Sequence, residues 1–515
     1  MRPSSARPWL PIGAVCAAAA IAYVPSFAVP FQFDDQARLA YNQALVDGRL
    51  LDALQFAGTA RVVPGFTLVL NYWLGGFEPL GYHVVNFAVH LLTSLGVFAL
   101  ALALCRTPRL RDAWPPGRAR LLATTAGLLF ACHPLQTQAV TYIIQRYASM
   151  VALFYVWAVV CYVRARIRQA GLAPGRPAGY LVAAAVLAVC AVLSKENAVS
   201  LPAALLLAEW VGFGWPRRWR MIVLGAAGAL VIASLPVVWK TAFSHPAAMD
   251  GSGPGLKDRV EDAILPPPYE PIAHRTPALD YLRTQATVLP RYLSLVVLPW
   301  GQNIDHDVPI AESLSAPVLA SAALLIALAA LGFSQVRRRP LAAFAILWFF
   351  VTLGPESSVF ALNDVMVEHR MYLPMAGLVL GIGSLFAAAV DRAPRAALGA
   401  GAVVAAGLVA LTFARNLIWL SPITLWLDAA EKSPRKSRPH VNAGMGYVDL
   451  ERLDDAVAEF CQALKLDPDD RDALGNLDFA VDKQGKLDSG DAEIVDQAPD
   501  GTLTLEIDDS TAYCP

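Results

Sequence analysis

The chain reads as an all-α, polytopic membrane protein, and three observations carry that reading. It is 56% hydrophobic and only 16% charged, with a mean hydropathy of +0.46, whereas a soluble domain carries roughly a quarter charged residues. Apolar runs of roughly 17 to 25 residues, the length needed to cross a hydrocarbon core, recur along most of the sequence. Arginines gather in every other connection between those runs, as they do in loops on the cytoplasmic side.

Taken in order, the runs predict about eleven spans, over 9–29, 83–105, 121–133, 147–164, 180–194, 197–213, 220–240, 316–334, 341–355, 372–390 and 397–414. The first follows the basic start "MRPSSARPWL"; it is longer than a signal-peptide core and lacks a clear small-residue cleavage site, so it reads as a retained span. Several others are short and end on polar residues, as in "ACHP" and "LSKE". Such ends are expected inside a protein-lined cavity. Arg2 and Arg7, the arginines of 106–120, 164–176, 217–220 and 337–339, and Arg392 and Arg395 mark the cytoplasmic loops. This leaves 30–81 and 241–315 as large outer loops, the latter including the stiff segment "PPPYEP" at 266–271. The apolar stretch 287–300, "TVLPRYLSLVVLPW", lies between two outer loops and cannot be one full crossing. A re-entrant or interfacial helix is expected there, with Pro290 and Arg291 interrupting its apolar face.

A membrane domain over 1–420 gives way to a different region at 421–515, also on the outer side. From Ser437, Gly444, Tyr447, Ala456, Phe460, Ala463 and Pro468 fall at the offsets of a tetratricopeptide repeat, a helical hairpin whose small residues let paired helices approach. A second copy begins at "RDALGNLDFA" and decays. The last twenty residues, acidic and poor in large apolar groups, are expected to be loose. The seven cysteines show no metal spacing and read as small apolar fillers. A net charge of -1 gives no reason to expect a nucleic-acid partner.

Read with this orientation, the outer helix ends collect ionisable groups. Asp34 and Asp35 follow the first span, His133 the third, Arg146 opens the fourth, Lys195 and Glu196 join the fifth and sixth, and Glu368, His369 and Arg370 precede the tenth. An ionisable residue costs roughly 2.5 to 3.5 kcal/mol at the centre of a membrane helix, so such groups are kept for a use or paired. Cations beside a few carboxylates are what transfer from a membrane-embedded phosphate needs: cations to hold the phosphate and a carboxylate to take a proton from the nucleophile.

In order along the chain, "FQFDD", "PLGYHVVNFAVHLL", "HPLQTQAVTYIIQR", "LSKENAVSLP", "EHRMYLPMAG" and the repeat resemble the transmembrane and tetratricopeptide-repeat O-mannosyltransferases and their bacterial relatives. These are members of the GT-C superfamily of polyprenyl-phosphate-sugar-dependent glycosyltransferases. The resemblance implies a GT-C-like bundle that moves a sugar, with inversion, from a polyprenyl-phosphate carrier to a hydroxyl acceptor such as a protein Ser or Thr. It implies Asp34, with Asp35 as second choice, as the general base. Arg146, Lys195, His369 and Arg370 would contact the lipid phosphate, with Glu196 or Glu368 orienting a cation and His133 in support. A divalent metal beside the acidic pair is compatible with this, although no ligand set is visible. The repeat would recruit the protein acceptor or a partner. The small-residue, arginine-rich composition points to a bacterial inner membrane, making the outer side periplasmic.

Plainer readings compete at each position. Either aspartate could cap the following helix; His83, Asn86 and His90 on one face suit interhelical hydrogen bonding better than a metal; His133 could serve only its helix end. Lys195 and Glu196 could be a local ion pair or cap, Arg146 and Arg370 could snorkel to headgroups, and Arg38, Arg61 and Glu78 read as solvated. The rival functions are an oligosaccharide ligase using a lipid diphosphate, a transporter, and a noncatalytic scaffold.

Overall fold

The computed structural model describes residues 9–40, 45, 61–214, 276–358, 361–483, 492–497, 503–507 and 510–514; the expected span 220–240 and the "PPPYEP" segment lie outside them. The helices are α1 Leu10–Tyr23, α2 Val62–Gly75, α3 Pro79–Cys105, α4 Pro116–Cys132, the five-residue α5 Thr137–Thr141, α6 Arg146–Gln169, α7 Ala178–Val192 and α8 Leu201–Phe213. They continue as α9 Ala278–Val297, α10 Ala316–Gln335, α11 Pro340–Leu353, α12 Tyr372–Arg392, α13 Pro394–Ile418, α14 Pro422–Lys432, α15 Arg438–Asp449, α16 Leu453–Leu466 and α17 Arg471–Lys483. Every expected span within the described residues coincides with a helix. Among the described residues, six helical segments are long and apolar enough to cross a membrane: Leu10–Ala28, Pro79–Cys105, Ile143–Gln169, Ala316–Gln335, Glu368–Arg392 and Pro394–Ile418.

Why these sequences stop where they do is largely a matter of proline and polar punctuation. α3, α4, α8, α10, α11 and α13 each carry proline in the first turn, where its missing N–H costs nothing. Around α3, α4, α6 and α12 packs a continuous apolar core that includes Leu100, Leu122, Phe130, Tyr155, Val159 and Leu380. Gly377 on α12 lets the Trp348 ring of α11 lie against the backbone, where any Cβ would overlap it; the indole also donates to the Leu373 carbonyl at 3.0 Å. By contrast the spans of α10 and α13 are only 11% buried, as expected of helices facing lipid.

Several expectations change. The 30–81 segment, expected as an outer loop, is not all loop: the apolar "VVPGFTLVLNYWLG" forms α2, with Leu68 and Val69 buried. Pro290 does not interrupt α9, which runs unbroken for 20 residues. Its buried stripe of Tyr281, Thr284, Val288, Tyr292 and Leu295 recurs every three or four residues, and Pro290 and Arg291 fall off that stripe. The chain's end carries a three-stranded antiparallel sheet, β1 Ala492–Gln497, β2 Leu503–Ile507 and β3 Ser510–Cys514, with Ala492 opposite Ile507 and Leu503 opposite Cys514. The segments "LTLEI" and "STAYC" have the alternation and β-branched content of strands. Cys461 is not a simple filler but disulfide-bonded, whereas Cys16, Cys105, Cys132, Cys161 and Cys190 are free.

From α14 to α17 the helices pack in successive pairs. Gly444 gives the Phe460 ring room, since a Cβ there would stand 2.5 Å from it, and Ala456, Ala463, Leu464 and Leu477 complete this separate core. The region is pinned to the 302–307 segment by Lys432 to the Gln302 carbonyl (2.9 Å), Asn303 to Ser433 (2.8 Å) and Arg435 to Asp307 (2.8 and 2.9 Å).

At the other end of the bundle, Arg166 of α6 clasps Glu209 of α8 through two hydrogen bonds, 2.9 Å to Oε2 and 2.6 Å to Oε1, with Tyr162 donating at 3.0 Å. Glu209→Ala, which leaves the buried guanidinium without its carboxylate, is expected to cost roughly 3 to 5 kcal/mol, whereas Arg166→Met combined with Glu209→Leu is expected to be near neutral. Thermal unfolding of the detergent-solubilised chain compares the two; equal losses would mean that the pair is not what holds this end.

Candidate active site

The acidic pair sits on a turn that the chain holds under strain. Phe33 takes φ 45°, a conformation that costs a non-glycine residue roughly 1 to 3 kcal/mol, and its ring is held edge-on against Trp426 at 5.2 Å. The turn gives its two carboxylates different fates. Asp35 is 1% exposed; its Oδ1 accepts from the Ile144 amide at 2.7 Å and its Oδ2 from the Gln32 amide at 3.1 Å. Burial pushes its carboxyl up to about 8 against the pull of those amides. It ties the turn to the loop before α6. Asp34 is half-buried, its amide donates to the Tyr142 hydroxyl at 3.0 Å, and that hydroxyl also serves its carboxyl. Burial raises the Asp34 carboxyl from its ordinary value; Asp364 adds to the rise, and Arg38 and Arg438 oppose it.

A second group forms where the ends of α7, α11 and α12 meet. Lys195 donates to Glu356 Oε1 at 2.5 Å and Asn197 to Oε2 at 3.2 Å. Tyr281 of α9 reaches the Glu356 carbonyl at 2.7 Å, and Arg370 donates to the Tyr281 hydroxyl at 3.3 Å and to the Asp364 carbonyl at 2.6 Å. Glu196 pairs with Arg61 at 3.3 Å, which lowers its carboxyl despite burial. Arg61 in turn lies over the Tyr147 ring at 5.1 Å. His369 receives the fields of Lys195, Arg370 and Arg61; its amide donates to Gln138 at 2.8 Å, while Nδ1 is buried with no hydrogen-bond partner among the described residues. Tyr147 joins the two groups, since it senses Asp34 and Arg38 on one side and Arg61 on the other.

The structure thus gathers Asp34, Lys195, Glu196, His369 and Arg370 at one end of the bundle and gives the remaining expected residues different surroundings. Arg146 is 0% exposed and donates to Asn86 (2.6 Å), Asn71 (2.7 Å), Thr67 (3.2 Å) and the Tyr82 carbonyl (2.9 Å). It binds α2, α3 and α6 together. Among the described residues Glu368 pairs with no arginine or lysine; its Oε1 accepts from the Asn303 amide at 2.6 Å and His306 at 3.0 Å. His133 reaches the Val296 carbonyl at 3.0 Å and accepts from the Leu135 amide at 3.2 Å, the helix-end role. His90 makes an interhelical bond to Tyr372 (2.7 Å), whereas His83 reaches the Val29 carbonyl (2.8 Å) in the extended segment after the first span. Among the described residues no group of three or more His, Cys, Asp or Glu side chains is placed to hold a metal, so no step is routed through one.

Four participants are not among the site residues the sequence points to. Arg61, read as solvated, is an ion-pair partner; Glu356 was not singled out, although "FFVTLGPESS" ends an apolar run at the same helix ends as the other residues. Asp364 and Arg438 carry no local signal at all.

Because the fold favours the neutral Asp35 carboxyl, its contribution to stability is full below the unfolded value near 4 and is lost as pH rises through about 8. The unfolding temperature of the wild-type chain is therefore expected to fall as pH is raised from about 5 to about 9, and Asp35→Asn to flatten that fall. An unchanged slope in the variant would assign the titration to another group.

No family model matches the chain and no solved structure matches it. Among curated proteins it is 25% identical over 483 residues to the protein O-mannosyl-transferase TMTC4 of Mus musculus, covering 83% of this chain and 63% of that protein. It is 24% identical over 445 residues to TMTC1 of Homo sapiens (80% and 48%), and 32% identical over 206 residues to Tmtc1 of Drosophila melanogaster (37% and 21%). The chain spans less than two thirds of the length of each of these three relatives. Its homologues over most of its own length are therefore the TMTC protein O-mannosyl-transferases, the family whose motif order the sequence resembles.

Proposed function

We propose that the chain is a membrane glycosyltransferase that moves a sugar from a polyprenyl-phosphate carrier to a hydroxyl acceptor, a protein Ser or Thr, on the side of the membrane away from the cytosol. The observation that carries this reading is the division of labour within the acidic pair. Asp35 is committed to two backbone amides, while Asp34 stands half-buried beside the Tyr142 hydroxyl with a carboxyl raised by burial. A raised carboxylate is the stronger base, and general-base catalysis gains most when that value approaches the working pH.

In the reaction Asp34 takes the proton of the acceptor hydroxyl as its oxygen bonds to the anomeric carbon. The bond from that carbon to the phosphate oxygen breaks on the opposite face, inverting the centre. The departing phosphate carries its own charge and needs no second acid. Lys195, Arg61 and Arg370 supply the positive field, and His369 Nδ1, without a partner among the described residues, faces the phosphate. Glu356 and Glu196 hold the cations in place while the site awaits its donor. Arg146, Glu368 and His133 act by positioning: the first locks the helices that carry the turn, the second anchors the 302–307 segment, the third joins α4 to α9.

The same proposal puts this end of the bundle and the C-terminal helices in the periplasm of a bacterial inner membrane. Two observations support it: the arginine-rich connections lie at the opposite helix ends, and Cys461 is disulfide-bonded, a bond that persists in oxidising compartments. The helix pairs from α15 onward support reading the region as tetratricopeptide-like and as the surface that recruits the acceptor.

Transfer by the purified chain from a panel of polyprenyl-monophosphate and diphosphate sugars tests the reading. Activity is expected with monophosphate donors; Asp34→Asn is expected to lower kcat by roughly 10²- to 10⁴-fold, and Lys195→Met to raise the KM for donor. Full turnover by Asp34→Asn would sink the base assignment, and activity restricted to diphosphate glycans would favour an oligosaccharide ligase.

A further inference from the structure

Besides the Trp426 ring against the acidic turn, the C-terminal region reaches the candidate site through Arg438, at the start of α15. Its guanidinium forks onto Asp305, with Nε to Oδ2 at 2.7 Å and Nη2 to Oδ1 at 2.6 Å, and Nη2 also donates to Asp364 Oδ1 at 2.8 Å. Asp305 is only 3% exposed and receives Lys436 as well, while Ser433 donates to its carbonyl at 2.5 Å. The arginine is thus fixed by a carboxylate that is itself caged. Its other partner is different in kind: the Asp364 side chain is 41% exposed, and its backbone carbonyl takes the Arg370 guanidinium at 2.6 Å. Asp305 already anchors the helix, so the bond to Asp364 adds little to docking. What it does is place a cation on a carboxylate whose charge reaches Asp34.

We propose that Arg438 is a positioning residue for the transfer reaction: by holding Asp364 on its guanidinium it sets the electrostatic field at Asp34, so that docking of the C-terminal helices readies the base. The inference rests on Asp34 as base. The charged and titratable groups that face Asp34 are Arg38 and Asp35 on its own segment, the Tyr142 and Tyr147 hydroxyls around the start of α6, Asp364 ahead of α12, and Arg438 on α15. Arg38 and Arg438 favour the ionised carboxyl and Asp364 disfavours it.

The test is the pH profile of kcat for the full-length chain with a polyprenyl-phosphate sugar and a hydroxyl acceptor. Arg438→Ala removes a cation and leaves the charge of Asp364 uncompensated, so the acid limb is expected to move up by a fraction of a pH unit, with turnover recovering on the alkaline side. Asp364→Asn, which leaves the clasp on Asp305 intact, is expected to move the limb down, and the double variant to bring it back toward the wild-type position. Arg438→Lys keeps the charge and is expected to stay nearer wild type than Arg438→Ala. Loss of turnover by the same factor at every pH in Arg438→Ala, or an unmoved limb in Asp364→Asn, would overturn the proposal. If Asp34→Asn abolishes turnover while neither limb moves, only this inference fails; if Asp34→Asn stays active, the base reading fails with it.

Discussion

A guanidinium taken out of water costs several kcal/mol unless acceptors surround it, and Arg146 meets that demand with four oxygens drawn from α2 and α3. The rest of the site follows from this. The side chain fixes the start of α6, and the loop just before α6 carries both Tyr142, which holds the Asp34 amide, and the Ile144 amide, which holds Asp35. A strained turn at Phe33 survives because this anchoring and the Trp426 ring over-determine it. Asn86 is the hinge of the arrangement: its oxygen serves Arg146, and its nitrogen reaches the Val140 and Ile143 carbonyls at 3.1 and 3.3 Å.

The same economy governs the cationic half. Lys195, Arg61 and Arg370 would repel one another if left bare, and carboxylates or carbonyl oxygens occupy each of them. Such a cluster is stable without a ligand yet remains positive around His369, whose Nδ1 is buried with no protein partner among the described residues. A negatively charged group would be drawn to the point where pairing is least complete. The two ends of the bundle contrast instructively: Arg166 and Glu209 clasp each other through two hydrogen bonds, with Gln169 and Tyr162 as further partners, which is the behaviour of a structural pair.

Much of this was legible in the chain before folding was considered. Apolar length located helices because continuous apolar runs of that length must bury or face lipid, and six of those among the described residues are long enough to cross a membrane. The acidic pair, Lys195, Glu196, His369 and Arg370 stood out because ionisable groups at the ends of apolar runs are costly and seldom idle. Other features were not legible. Arg61 looked solvated because nothing near it in sequence is acidic; Glu196, its partner, is 135 residues away. Arg146 and Glu368 looked like site groups because a buried structural charge and a catalytic one have the same local sequence.

By itself, then, the order of residues determined that this is a helical chain with stretches apolar enough to cross a membrane, and pointed to helix ends rich in ionisable residues, because these depend on composition and periodicity along a few turns of chain. Tertiary structure alone decided that Asp34 and not Asp35 has a carboxyl to spare, that Arg146 locks helices while Lys195 and Arg370 border His369, and that Arg438 reaches Asp364. Those assignments turn on which hydrogen bonds each polar group has already made, and the partners come from segments up to hundreds of residues apart that only the packed bundle brings within 3 Å.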